Sequence, residues 1–447
     1  MQNSALLDPV QTRKIAPGPQ EFPELWQNPL QVLVDAAHQY GDIVCLDPND
    51  HRIYLVTHPD FVKHVLQDNY RNYRRDADSF KLLAGNGLIV SEGDFWLRQR
   101  RLMQPAFHRQ QIAALASTMT EVTAMTLERW RTVAEQGEPL DILAEMMNLT
   151  LTIIVKTMFG GDVDEEVEAA ANALAIGQEY LYQQGWDYQG EQAASGEERF
   201  REAMDTLDRM VYRLIDERRQ SGQTGHDLLS MLLQARDEET GEGMSEKQVR
   251  DEIVTIFGAG RDTTAIALAW TWYLLDQHPE VERKLQAELV AVLGGRTPTF
   301  ADLPHLLYTR QVFEEVLRLY PPGWMTARLS LGEDEIGGYT IPANSEIFLS
   351  PYVTQRRPDL WENPDTFDPE RFTPEHVASR PRFAYFPFGG GPRVCIGNSF
   401  AAVEAQLIIP MVAQAYRLNL FPGCQVEPQA LITLQPKNLL MTLTRNA

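Results

Sequence analysis

The chain is predicted to be mainly α-helical with a small β lobe, and three observations carry this. Helical periodicity dominates from 111 to 220 and returns from about 245 to 277. Two short runs of strand character, IVCLD (43–47) and RIYLVT (52–57), flank the turn sequence PNDH. A block rich in Pro, Arg and aromatic residues, 355–387, has no period and leads into a glycine-rich loop with one cysteine, FGGGPRVCIG, from Phe388 to Gly397.

Composition narrows the function. The 447 residues are 44% hydrophobic and 23% charged, as in an ordinary globular protein. We expect a disordered lead-in over 1–16 and one domain over 17–447, large enough to enclose a cofactor. A net charge of −22 argues against nucleic-acid binding and would make any basic patch conspicuous to an acidic partner. The three cysteines, Cys45, Cys395 and Cys424, form no C-x-x-C pair, which fits a reducing, cytoplasmic compartment rather than a disulfide framework. No signal peptide is visible. Ile253–Leu275 is long and apolar, but Arg261 and Asp262 lie near its centre, so a buried core helix is expected rather than a membrane span.

Taken in order, 26–40 reads as an amphipathic helix stopped by Gly41, and Pro59 sits in the first turn of a short helix. Residues 71–93 look irregular. Their apolar members Phe80, Leu82, Leu83, Leu88 and Ile89 belong either to a packed surface loop or to a lid over a cavity. On the next helix, Trp96 and Arg100 share a face, and Arg98, Arg101 and Arg109 make the densest basic patch. The stretch 184–197 reads as an exposed connection. Ser245 is placed to cap the helix that follows.

That helix carries AGRDTT, Ala259–Thr264. Gly260 removes bulk, so a small or flat ligand could approach; Asp262 and Thr263 place an acid and a hydroxyl in an apolar helix, a pairing suited to proton delivery. The plainer alternative is a threonine bonded to the carbonyl one turn back. Arg261 either turns away from the ligand or binds a substrate anion. Further on, Glu315 and Arg318 lie three apart among Val312, Phe313, Val316, Leu317 and Leu319, so their charges are expected to be buried and to need a third partner. A hairpin is expected around the GGY turn after Trp324, and two strands near the carboxyl end around Leu431–Leu434. In the cysteine loop, the glycines permit close approach to a flat ligand, and a helix follows Cys395, which favours its thiolate. A lone thiolate suits haem iron better than zinc.

The order Phe388, Gly391, Arg393, Cys395, Gly397 resembles the haem-binding loop of the cytochrome P-450 family. Trp96/Arg100, Asp262/Thr263 and Glu315/Arg318 occur upstream in that family's order. The resemblance spans about 17–445 and implies the cytochrome P-450 fold and a haem-thiolate monooxygenase. It implies haem b ligated by Cys395, and O2. Electrons would come from NAD(P)H through a ferredoxin or flavodoxin and its reductase. By the same resemblance Trp96, Arg100 and Arg328 serve the haem propionates, with Ala259, Gly260, Phe388, Arg393 and Gly397 also in the cofactor site. Asp262 and Thr263 are the catalytic acid and alcohol, and Arg371 completes a structural triad with Glu315 and Arg318. Ile256, Trp324, Met325, Ala327, Leu431 and Ile432 join the lid residues at the substrate. Arg98, Arg101 and Arg109 are left for an acidic redox partner.

A lipophilic substrate is expected: a fatty acid, terpenoid, steroid or polyketide. Arg74, Arg75 and Arg261 are candidate carboxylate anchors that tilt the choice toward a fatty acid. The chain is expected to be a monomer. The alternatives are a peroxide-using or peroxide-rearranging enzyme of the same fold, or a haem-thiolate sensor.

Overall fold

The computed structural model describes residues 16–18, 25, 28–47, 52–186, 193–222, 225, 227–237 and 240–446. In the amino-terminal part, α1 (Pro29–Tyr40) ends at Gly41, whose φ of 95° only glycine adopts readily. β1 (Ile43–Asp47) and β2 (Ile53–Val56) follow as expected; the PNDH turn lies outside the described residues. After α2 (Pro59–Lys63), the stretch expected to be irregular holds β3 (Tyr73–Arg75) and α3 (Lys81–Ala84). A strand of three residues is too short to show alternation, and its partner is remote in sequence.

The helical body comprises α4 (Gly93–Met103), α5 (Arg109–Gln136), α6 (Ile142–Met158), α7 (Glu165–Trp186), α8 (Ala193–Ser221) and α9 (Leu228–Gln234). With β4 (Leu140–Asp141) before α6, the break between α7 and α8 is narrower than the expected 184–197; residues 187–192 lie outside the described part. α10 (Glu246–Gln277) starts at Ser245, whose side chain caps Gln248 while Gln248 caps Ser245 in return. Then come α11 (Pro279–Val292) and α12 (Leu307–Leu319).

The carboxyl half opens with β5 (Thr326–Ser330), the GGY hairpin of β6 (Asp334–Ile336) and β7 (Tyr339–Ile341), and β8 (Glu346–Leu349). Short α13 (Pro351–Thr354) and α14 (Pro374–Ser379) punctuate the aperiodic block. α15 (Asn398–Ala415) leads from the cysteine loop to β9 (Tyr416–Leu420), β10 (Glu427–Ala430), β11 (Leu434–Lys437) and β12 (Leu440–Arg445).

The β lobe is a five-stranded sheet, ordered β1-β2-β8-β5-β3. Both faces are covered. Ile43 and Cys45 pack with Tyr54 and Ile347 on one side, while Val44 and Leu46 pack with Leu55 and Phe348 on the other. Ala16, assigned by sequence to a disordered lead-in, is buried against this lobe, and Cys45 N donates to Pro17 O at 2.9 Å. Residues 1–15 of the expected lead-in lie outside the described residues. The largest core lies among the helices, with α10 running through it. Among the described residues no helix is long and apolar enough to cross a membrane.

Candidate functional site

The loop ahead of α15 is shaped by glycine. Gly391 has φ 64°, and a Cβ there would collide with the Leu66 carbonyl, so the loop seats directly on the chain after α2. Cys395 N donates to Phe388 O at 3.0 Å, which closes the loop. Burial raises the Cys395 thiol; the amides of Gly397 and Asn398 and the charges of Arg100 and Arg75 oppose this and favour the thiolate. Cys395 is nonetheless accessible although it lies inside the fold, so it faces an open cavity.

The opposite wall is α10. From Val249 to Leu275 every residue is buried or half-buried except Ala259, which is exposed in the middle of a core helix. Ala259 therefore borders the cavity. Gly260 beside it is half-buried, and a Cβ there would stand 2.5 Å from Ile154 Cδ1, so the bulk this glycine spares lies on the α6 side of the helix. The reason expected for the missing side chain, room for a ligand, changes on that ground to room for α6. Asp262 is almost fully buried; Gln178 Nε2 of α7 donates to it at 2.6 Å and Arg261 lies at 3.3 Å. Burial raises its pKa, with Arg261 and Gln178 pulling the other way. Thr263 donates to Ala259 O at 2.8 Å, the plainer of the two roles weighed, which leaves the hydroxyl oxygen as an acceptor. Arg261 is tied to Asp262 and to the Ala171 carbonyl, at 3.5 Å, and so turns toward α7.

Arginines converge at the rim. Arg75 and Arg328 sit directly opposite on antiparallel β3 and β5. Like charges so paired repel. Arg393 lies over the Trp96 ring at 4.2 Å and pairs with Glu92; Arg100 donates to Val394 O at 2.9 Å. Burial, then the charges of Arg75 and Arg393, lowers Arg328 to about 9. Four cations around one carboxylate leave surplus positive charge in an enclosed place. A group carrying two carboxylates, next to a cysteine sulfur and an alanine wall, is what these residues fit; haem with its propionates is such a group. Arg75 was read from sequence as a substrate anchor. Its place opposite Arg328 was not visible there, because strand pairing sets it.

Behind the loop, Arg318 grips Glu315 through two bonds, 2.7 and 2.8 Å, with both side chains fully buried. Arg371 Nε stands 3.4 Å from Glu315, and the remaining Arg318 protons reach the carbonyls of Gln355, Pro364 and Thr366. The side chain of Gln355, which sequence did not single out, bonds the end of α12 and accepts from Phe386 N, two residues before the loop.

Several expectations change. Leu82 is 57% exposed. Leu83, Leu88 and Ile256 are buried, whereas Phe80 and Ile432 are half-buried against the main core and Ile89 is half-buried as well. Trp324 is buried in the core beneath the sheet and donates to Leu431 O at 2.9 Å, so it supports the carboxyl-terminal hairpin. Met325, Ala327 and Leu431 are half-buried. Arg98 is not free for a partner: it pairs with Asp237 and donates to the carbonyls of Glu242 and Gly243. Arg101 also meets Asp237, at 3.4 Å, and Arg109 lies over the Phe300 ring. Arg74 is spent on Asp78.

A helical body with a covered β lobe, enclosing a cysteine sulfur that faces a cavity rimmed with arginine, is the arrangement that suits a haem-thiolate protein. The sequence pattern of the cytochrome P450 family matches residues 18–443, and the chain belongs to that family. It is 38% identical over 429 residues to cyclooctatin synthase of Streptomyces melanosporofaciens, covering 93% of this chain and 91% of that one. It is 39% identical over 405 residues to cyclooctat-9-en-7-ol 5-monooxygenase of the same organism, covering 89% and 87%. Pentalenene oxygenase of Streptomyces avermitilis is 32% identical over 431 residues, 94% of either chain. Among solved structures, the cytochrome P450DA heme domain superposes with a TM-score of 0.90 at 26% identity, covering 97% of this chain and 98% of that one. The protein is a monooxygenase that uses haem-thiolate iron, O2 and electrons from a redox partner to oxidise a lipophilic small molecule.

Proposed function

We propose that this protein hydroxylates a terpenoid, a polycyclic hydrocarbon skeleton or an alcohol derived from one. The observation that carries this reading is the commitment of the three candidate carboxylate anchors. Arg74 holds Asp78, Arg75 faces Arg328 at the rim, and Arg261 holds Asp262. The tilt toward a fatty acid loses its support, and a substrate bound by shape and apolar contact fits better. Three relatives bear names of terpenoid chemistry. Ile89, Ile256, Met325, Ala327, Leu431 and Ile432 are the proposed contacts.

In this reading Cys395 would hold the iron of haem b, and the group would supply oxygen activation when bound. Arg75, Arg100, Arg328 and Arg393 neutralise its carboxylates. Asp262, kept protonated by burial to higher pH than an ordinary aspartate, is the proton donor. Thr263 would accept a hydrogen bond from that acid through the oxygen its bond to Ala259 leaves free, and so would hold the proton at the cavity side of α10. Electrons start at NAD(P)H and arrive through a ferredoxin or flavodoxin that docks by Arg109 and by Arg101, which stays half exposed while paired with Asp237, rather than by the largely covered Arg98. A cytoplasmic monomer is the setting these pieces suit.

The test is to load the protein with haem and supply ferredoxin, its reductase and NADPH. Cyclooctat-9-en-7-ol, pentalenene and palmitic acid are then offered in parallel. A spin-state shift and a product one oxygen heavier with a terpenoid support the reading. Binding and oxidation of palmitic acid alone would overturn it. Oxygen uptake that depends on the reduced partner separates it from a peroxide-using enzyme.

A further inference from the structure

Three consecutive charged residues of α10 have no part in the proton relay, yet they are buried. Arg250 donates to Leu83 O at 3.2 Å. Asp251 accepts from Asn86 N at 2.9 Å. Glu252, with no exposed surface, accepts from Leu88 N at 2.9 Å and from Gln99 Nε2 of α4 at 3.2 Å. The segment from Leu83 to Leu88 is thus held by its backbone, at alternate residues at its far end. Its glycines exist for this contact: a Cβ at Gly85 would strike the Asp251 carboxyl, and one at Gly87 would strike the Thr255 hydroxyl. Arg250 also pairs with Asp208 of α8, and Lys247 meets Asp251 at 2.7 Å. One short stretch of α10 therefore binds the Leu83–Leu88 segment, α8 and α4 together.

Burying a charge is costly unless it is neutralised or paired. Asp251 has Arg250 and Lys247. Glu252 has amide donors but no cation among its neighbours, and burial pushes it up to about 8. Gln99 Oε1 lacks a partner. A proton on Glu252 would give that oxygen a donor once the Gln99 amide turns over. Helical spacing then links the clasp to the chemistry. Glu252, Ile256, Ala259 and Thr263 fall at i, i+4, i+7 and i+11, one stripe of α10. The segment is pinned about two turns from the alanine that borders the cavity.

We propose that Arg250, Asp251 and Glu252 form a specificity-determining clasp: it fixes the Leu83–Ile89 segment by its backbone, so that Leu88, Ile89 and Ile256 make an unyielding wall of the cavity. Glu252 is the positioning residue at its centre and acts as a neutral acid. The mobile part of substrate entry then lies outside this segment. The inference rests on the haem-thiolate reading for the identity of the cavity, but not on the terpenoid substrate.

Hydrogen–deuterium exchange of the haem-loaded protein tests it, with the amides of 84–90 as the readout. Glu252→Leu and Gly87→Ala should each speed their exchange about tenfold, while Glu252→Gln, which keeps both a donor and an acceptor, should stay within about twofold. Imidazole and 4-phenylimidazole, titrated by the Soret shift, probe the wall without any substrate. Their affinity ratio should move at least about threefold in Glu252→Leu and Gly87→Ala and hold in Glu252→Gln. Unchanged exchange in Glu252→Leu would overturn the clasp. Faster exchange with an unchanged azole ratio would overturn its role in selection. A Glu252→Gln protein as loose as Glu252→Leu would overturn the neutral acid.

Discussion

The two sides of the cavity are built on different electrostatics. On the cysteine side, charges are formal and paired. Glu315 and Arg318 form a two-bond ion pair with no exposed surface, and the four rim arginines gather around the carboxylate of Glu92. On the α10 side, acids are held toward neutrality by burial: Asp262 is raised and Glu252 reaches about 8. The first arrangement fixes position. The second holds protons to higher pH than ordinary carboxyls do. One side is a mount and the other is a proton-handling wall.

Breaking the mount should have the largest effect. Glu315→Gln leaves Arg318 buried without its counter-charge, a loss of about 3–5 kcal/mol. The Glu315 carboxyl also accepts from Asp368 N at 2.9 Å, so the chain leading to the cysteine loop loosens with it. Chemical denaturation should show the loss, with a fall in haem retained on purification. A variant of near-wild-type stability would mean that the pair is not the main support.

A smaller effect tests the neutral acids. Glu404 of α15 is fully buried, neither carboxyl oxygen has a hydrogen-bond partner, and burial raises it to about 8, with the Thr264 hydroxyl the one influence against. Its folded value lies above its unfolded one, so the native state holds the extra proton. The stability this gives is full below about pH 4.5 and is lost as pH rises to about 8. Glu252 and Glu346, the latter about 7, act in the same direction. Unfolding free energy should therefore decline between pH 5 and 8. Glu404→Gln should flatten that decline by about 1–3 kcal/mol. An unchanged slope would show that Glu404 is ionised in the fold or contributes nothing.

The same contrast explains what sequence could reveal. The cysteine loop was legible because its glycines, arginine and thiol lie within ten residues. The Glu315 pair was legible because the apolar residues around it announced burial. The helices of the body were legible from period. The arginine rim was not, because Arg75 meets Arg328 only through pairing of β3 with β5. Gly260 was misread for a related reason: AGRDTT does not say which face meets Ile154. Gln178 carries no signal at all in the chain. It matters only because α7 brings it to Asp262, 84 residues away.

The rim allows a prediction with two signs. Without haem, Arg75 and Arg328 repel across the strands, so Arg75→Leu should stabilise the haem-free protein by about 1 kcal/mol or less. With haem, the same change removes a cation from its carboxylates and should weaken haem retention. Thermal melts of both forms check this. Destabilisation of both forms alike would mean that Arg75 serves packing and not the anion.

The smallest expected effect bears most directly on the proton-handling wall. Gln178 donates to Asp262 and so favours its ionised form; Arg261 does the same by charge. Gln178→Leu should therefore raise the Asp262 pKa further. A donor must hold its proton before giving it, so coupling of electron use to product fails as pH climbs past that pKa. The alkaline limb of product formed per electron consumed should then move to higher pH, by roughly half a unit to one unit for a single lost hydrogen bond. Arg261→Leu should move it in the same direction and further. A shift to lower pH would show that Gln178 acts on another group. No shift in either variant would mean that Asp262 does not titrate in the rate-determining proton transfer, and the neutral-acid account of α10 would then rest on Glu252 alone.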